Sequence, residues 1–401
     1  MPRGEHPEAW PRALAHSLTG CSRCTRRVLE APDEGILWTE PQLHPLDPAL
    51  LREIASLRRR SPAQRVLRAR NASDRWRRSA AGALLSLAHR GVLEDPGAAL
   101  DQGRLAVMLA DSHTGPERAV LRVEARAALA NAQRVLGEFD AAESTWAEID
   151  DLRRHAELTP VRTGHLHMLR ASLEMVRSRY PRAFGEVTDA LRLFAAAADA
   201  VRTATALIKM GIVQDRLGDP AAALATNRQA ALMLAALGST SSRLRSMASH
   251  NLAVCALSLG DWRAAEEIVT ISRPLQDRIA ARMERVRLDW LDGLIDRMAG
   301  RHRQAEAHFL NAARVYSERR LEIDTRWIHL HLMEVYLAQR RPDRVRELGE
   351  PALACFRRHA LDTESAKTVR LLDTADELDR ARREGGEEAL HRVPLPAPQV
   401  Y

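Results

Sequence analysis

Leu136-Gly-Glu-Phe-Asp-Ala-Ala-Glu143 recurs in altered form as Leu217-Gly-Asp-Pro-Ala-Ala-Ala-Leu224, Leu259-Gly-Asp-Trp-Arg-Ala-Ala-Glu266 and Ala299-Gly-Arg-His-Arg-Gln-Ala-Glu306. Weaker copies begin at Leu93, Arg179 and Arg340. Taking the glycine position as anchor, the copies fall at Glu94, Gly137, Arg179, Gly218, Gly260, Gly300 and Arg340. A steady period of this size marks a stacked repeat array, and repeats of this kind present an extended binding surface.

Around each anchor the residues describe two helices and a turn. Asp95-Pro96 and Asp219-Pro220 are helix-start signals, because Asp caps the orphan N–H groups and Pro suits the first helical position. Five residues after the anchor stands an alanine (Ala142, Ala223, Ala265, Ala305), and seven before it a small residue (Ala130, Ser172, Gly211, Ala253, Gly293). A small residue on each helix at a fixed offset lets an antiparallel pair approach closely. Neither helix buries its apolar face alone, so neighbours must stack. Sustained apolar–polar alternation of the strand type is missing from the sequence, which therefore predicts an all-α chain.

As a set, these turns, alanines and small residues resemble the tetratricopeptide repeat over roughly residues 80–375, with a period of about 40 residues in place of 34. The resemblance implies a right-handed α-solenoid of about seven helix-turn-helix repeats, with first helices lining a concave groove. Phrases such as Ser249-His-Asn-Leu-Ala-Val-Cys-Ala-Leu257 are similar to bacterial tetratricopeptide proteins of regulatory type. The implied organisation is a Cys-containing segment at 1–31, a Pro-rich linker at 32–47, a basic helical cap at 48–90, the solenoid at 91–384 and a Pro-rich tail at 385–401.

The anchors supply a register for the groove. Nine residues before them stand Ala128, Arg170, Lys209, Asn251, Leu291 and His331; Arg287 lies one turn earlier in its own repeat and Asn131 nearly one turn later. These spacings share one helical face. Asn131, Arg170, Lys209, Asn251, Arg287 and His331 are thus the candidate peptide-binding residues. Similar columns in the family clamp a peptide's carboxylates: Arg and Lys supply charge, and Asn bonds a peptide backbone. The competing reading is a solvated helix face in an arginine-rich protein.

The basic residues are two lysines, Lys209 and Lys367, with arginine everywhere else, and the net charge is +7. Eleven arginines against Glu53 and Asp74 lie between Arg52 and Arg90, so the positive excess belongs to the proposed cap. That block suits phosphate contact, which makes nucleic acid an alternative partner; it equally suits a solvated face closing the apolar end of the array.

Cys21-x2-Cys24 with His16 offers thiolate and imidazole donors for Zn²⁺ and resembles the zinc element of anti-sigma-type proteins, with the His–Cys gap one residue longer. An unliganded pair and a redox pair remain open beside it. Cys255 and Cys355 sit in apolar helical runs and read as small buried side chains. No glycine-rich phosphate loop or catalytic triad motif is present, which points away from an enzyme. The N-terminus has no apolar leader-like stretch, and a cytoplasmic protein is expected.

These readings predict an interaction or regulatory scaffold that takes an acidic or extended segment in its groove, with a ligand-sensing transcriptional or signalling regulator as the alternative. On this sequence reading, reversing the charge at Arg170 and Lys209 together should abolish capture of an acidic peptide and leave the melting temperature unchanged. Equal capture by the double variant would remove the groove assignment.

Overall fold

The computed structural model describes residues 47–237, 242–276, 282–396 and 400; His16, Cys21 and Cys24, with the candidate zinc element, lie outside the described residues. Those described form seventeen α-helices and one short 3-10 turn, and no strand occurs among them. The helices are α1 (Pro48–Arg58), α2 (Pro62–Asn71), α3 (Asp74–Gly91), α4 (Pro96–Ser112), α5 (Arg118–Val135), α6 (Phe139–Leu152), α7 (Pro160–Val176), α8 (Tyr180–Ala196) and α9 (Ala200–Arg216). They continue with α10 (Pro220–Ala236), α11 (Ser242–Ser258), α12 (Trp262–Gln276), α13 (Arg282–Met298), α14 (His302–Glu318), α15 (Glu322–Ala338), α16 (Pro342–Arg358) and α17 (Asp362–Leu390). The anchors of the repeated phrase fall in the turns of seven successive pairs, from α3–α4 to α15–α16, so the chain is an all-α helical-repeat protein.

Local chemistry starts these helices as expected. Asp95 and Asp219 each accept the backbone N–H three residues on, from Ala98 and Ala222, at 2.9 Å, and Pro follows each cap. The alanines at the second-helix offset, Ala142, Ala223, Ala265 and Ala305, are fully buried. Their partners leave no spare room. A Cβ added at Gly293 would sit 2.7 Å from the Phe309 ring, and one at Gly211 would overlap the Asn227 amide.

Helix endings reveal a finer period than the sequence shows. Gly137, Gly218, Gly260 and Gly300 have φ between 77° and 86°, as their place in the phrase requires. Ser178, Ala198, Arg320, Arg340 and Ala360 adopt the same left-handed conformation without glycine, at φ 51° to 58°. At eight of these nine ends the following N–H returns to the carbonyl five residues back, for instance Asp219 to Gln214 at 3.0 Å and Leu361 to Phe356 at 2.9 Å. This is the Schellman ending, and it terminates first and second helices alike. Most helices from α7 to α16 have the same length, and their starts recur at half the period of the phrase. The sequence alone puts one anchor at Arg179. Ser178 carries the positive φ and Arg179 donates to Glu174 at 2.8 Å, so that anchor moves back by one residue.

Two compact units divide the described chain, one of residues 47–173 with 192–198 and one of 174–191 with 199–396. In the first, α3 to α6 pack in sequence around Leu84, Leu105, Leu109, Ala106 and Ala128, with α1 and α2 against them. Much of the arginine block ties this end together. Arg58 pairs with Asp101 at 2.9 Å, Arg78 pairs with Glu117 at 2.6 Å, and Arg77 donates to the carbonyls of Ala69 and Arg70 that end α2. In the second unit, α9 to α17 each pack on the next helix, and first helices also touch first helices: α9 on α11, α11 on α13, α13 on α15, α15 on α17. No described helix is long and apolar enough to cross a membrane.

The endings generate a paired prediction. Gly260→Ala forces a Cβ into left-handed backbone and should lower unfolding free energy by about 1 kcal/mol. Ala360→Gly relieves the same strain and should raise it. Urea denaturation of the two variants measures both signs, and a gain from Gly260→Ala would refute the assigned turn geometry.

Candidate functional site

The six residues of the sequence-derived stripe fall on first helices, two in one unit and four in the other. In the unit of residues 47–173, Asn131 on α5 is half-buried and its Oδ1 accepts from Arg134 Nε at 3.1 Å. Arg170 on α7 pairs through Nη1 with Asp150 at 2.7 Å and lies over the Trp146 ring, 5.5 Å from its centroid. A reversed charge at Arg170 would meet Asp150, so the expected unchanged melting temperature is corrected: that variant loses a packed clasp between α6 and α7.

In the second unit Lys209 on α9 and Arg287 on α13 are half-buried. Asn251 on α11 is 7% exposed, its amide donating to the Met247 carbonyl at 2.9 Å. His331 on α15 is 3% exposed. The last two are therefore enclosed side chains, whereas the sequence register points them into a groove. For His331 the covering groups are Phe309 and Trp290, and packing of first helix on first helix brings Trp290 there. It also builds a row the sequence does not reveal: His250 of α11 stacks on Trp290 of α13 at 5.7 Å, and Trp290 meets His331 of α15 at 6.0 Å.

His331 opens onto a buried ionic cluster. Its ring stacks on Phe309 at 5.3 Å, and its Nδ1 lies 3.3 Å from Arg297 Nη1. Arg297 pairs with Glu334, whose other oxygen lies 2.9 Å from Lys367 Nζ. One carboxylate thus serves two cations, with side-chain exposures of 2%, 7% and 11% along Arg297, Glu334 and Lys367. Burial pushes Arg297 down to about 9. Lys367 is pushed down to about 7, first by burial and then by Arg297, Arg216 and Arg370. Burial, reinforced by Arg297, Lys367 and Arg216, holds the His331 imidazole well below its ordinary value. It is neutral near pH 7, with Nδ1 able to accept from Arg297.

Beside the cluster is a cavity of about 70 Å³ lined by Arg216, Trp327, Thr363, Glu364, Lys367 and Arg370, with Val400 also at its wall. Arg216 at the end of α9 lies over Trp327 of α15, 4.4 Å from the ring centroid. The turn before α8 reaches the same region: Arg177 Nη1 donates to the His359 carbonyl at 3.0 Å, and Ser178 Oγ lies 3.5 Å from Glu364. Residues more than 180 positions apart in sequence thus build one wall of this unit. Among the described lining residues Arg216 and Arg370 accompany one carboxylate, Glu364, while Lys367 is shared with Glu334.

Trp290, Arg297, Trp327, Glu334 and Lys367 are not singled out for this site by the sequence. A signal exists for two of them. Thirteen residues before the last two anchors stand Arg287 and then Trp327, and one more step of the same length reaches Lys367. The row ends beyond the last recognisable anchor, so no repeat phrase marks it.

No family model matches the chain, and no curated protein matches its sequence. Solved structures do resemble it. One is a Rap protein complexed with competence and sporulation factor, at 14% identity and TM-score 0.57, covering 78% of this chain and 90% of that one. Another is aspartyl phosphate phosphatase F from Bacillus subtilis, at 9% identity and TM-score 0.54, covering 100% and 99%. At these identities the likeness is one of fold.

The neutral buried histidine sets a pH dependence. The unfolded chain binds a proton at His331 near pH 6.5 and the folded chain only well below it, so this group's contribution to stability falls as pH drops below about 6.5. The slope contributed is up to about 1.4 kcal/mol per pH unit. His331→Asn keeps an acceptor near the Nδ1 position and removes the titration. Denaturant unfolding at pH 7, 6 and 5 should show a shallower acid loss in the variant. Parallel curves would refute the assignment.

Proposed function

We propose that this chain is a regulatory helical-repeat scaffold that captures an extended, acidic segment of a partner protein or peptide. The observation carrying the proposal is the cavity beside the ionic cluster, lined by Arg216, Arg370 and Lys367 together with Trp327 and the carboxylate of Glu364. Guanidinium and ammonium groups in a partly desolvated recess favour carboxylate over neutral ligands. Trp327 adds an apolar platform for the neighbouring side chain of an extended peptide. Lys209 and Arg287, on the first helices of the same unit, extend positive charge along the stack.

The related fold of the Rap protein complexed with competence and sporulation factor supports a binding role in general. The reading is of a binding protein, in which Glu334 is held by Arg297 and Lys367 and Glu364 lies beside Ser178. Much of the arginine block at 52–90 is engaged within its own unit, which favours a capping role for it over nucleic-acid contact.

The test is capture of short synthetic extended peptides, acidic and neutral, by the immobilised full chain. Acidic members should be enriched, with affinity falling as salt rises. Arg216→Ser with Arg370→Ser should weaken the captured acidic peptide at least about tenfold, the loss of one or two charge-assisted contacts. Equal retention of neutral and acidic peptides, or an unchanged affinity in the double variant, would overturn the proposal.

A further inference from the structure

Cys355 and His359 are four residues apart at the end of α16, so their side chains leave the same helical face. Glu322, the first residue of α15, brings a carboxylate to the same place. The thiol sulfur, an imidazole nitrogen and a carboxylate oxygen all lie within 4.8 Å of one another. Cys355 is fully buried, yet its sulfur lies within 4.8 Å of a Glu322 oxygen and is not simply packed among apolar groups. Sulfur, nitrogen and oxygen donors converging from two helices are a mixed set that hard cations do not favour, and that borderline-soft divalent cations do.

We propose that Glu322, Cys355 and His359 form a binding site for a divalent cation of the Zn²⁺ class. Binding exchanges the thiol proton for the metal: the S–H bond breaks, a sulfur–metal bond forms, and the proton leaves to solvent. Thiolate and carboxylate together then balance the charge of the dication, and the imidazole binds as the neutral base.

Two neighbours bear on this. Arg358 lies 3.3 Å from a Glu322 oxygen, but both side chains are largely exposed, so the pair yields to a metal at small cost. Arg326 is a nearby positive charge at Cys355 and opposes binding, which the two anionic ligands must outweigh. Access comes from the Glu322 side, where an open recess of about 510 Å³ is lined also by Ser317, Arg320 and His329. A tetrahedral site with three protein donors keeps its fourth position for water or a ligand group.

The location gives the ion a structural consequence. His359 accepts Arg177 through its carbonyl at 3.0 Å, the contact that brings the turn before α8 to α16. A metal held by the His359 ring, by Cys355 and by Glu322 would fix that end of α16 to the start of α15. The contact with Arg177 would then rest on a clamped residue.

The experiment is a cobalt(II) titration of the full chain carrying Cys21→Ser and Cys24→Ser, so that the N-terminal pair contributes no thiolate. A near-ultraviolet thiolate-to-cobalt charge-transfer band saturating at one ion per chain, bleached by zinc, is the expected result. Cys355→Ser should abolish the band and Cys255→Ser leave it unchanged. His359→Gln and Glu322→Gln should each weaken binding at least about tenfold. Glu322 is exposed, so its variant decides the question even where Cys355→Ser fails to fold. Absence of the band in tenfold excess cobalt would overturn the proposal, as would its survival in Cys355→Ser or unchanged affinity in Glu322→Gln.

Discussion

Nine described helix ends in this chain turn on one residue in left-handed backbone, and at eight of them the next N–H closes onto the carbonyl five residues back. That single hydrogen-bonded reversal stops a helix after about five turns and launches the next at a set angle. Within the larger unit its regular recurrence makes each helix antiparallel to its predecessor and returns every first helix to the side of the last one. The stacking of first helix on first helix follows, and so does the packing of buried alanines such as Ala223 and Ala265 beneath them.

The interior of the larger unit is a consequence of that regularity. Residues at one offset recur on neighbouring helices, so His250, Trp290 and His331 form a continuous aromatic row. At its end Glu334 holds Arg297 and Lys367 together in a region nearly closed to water. Buried charges of this kind are poor contributors to net stability, because desolvation offsets most of the attraction. Their effect is on arrangement. An uncompensated cation there costs far more than the pair gains, which favours an arrangement of α13, α15 and α17 in which Glu334 meets both Arg297 and Lys367. Arg216 over Trp327 and Arg177 on the His359 carbonyl then bring distant parts of the chain to the same wall.

Glycine advertises a left-handed turn in sequence because it alone adopts it without steric cost. Four of the nine turns are legible for that reason. Ser178, Ala198, Arg320, Arg340 and Ala360 take the same conformation under tertiary constraint and carry no such mark. The repeat is consequently legible at the spacing of a helix pair rather than of a single helix, and one anchor falls a residue late, at Arg179. The candidate stripe is legible as a register and not as a surface. Offset arithmetic locates Asn251 and His331 on the correct helices, but it does not say which offsets the next helix covers.

Periodicity, capping residues and small-residue offsets determined the helices, their pairing and their order, since each of these depends on neighbours within a turn or two of chain. The tertiary structure alone decided which polar groups meet. Arg216 with Trp327, Arg177 with His359, and Glu322 with Cys355 are contacts between separate helices or turns, more than thirty residues apart in the chain. Their formation depends on how small turn-to-turn rotations accumulate along the stack, a sum that no local stretch of sequence contains.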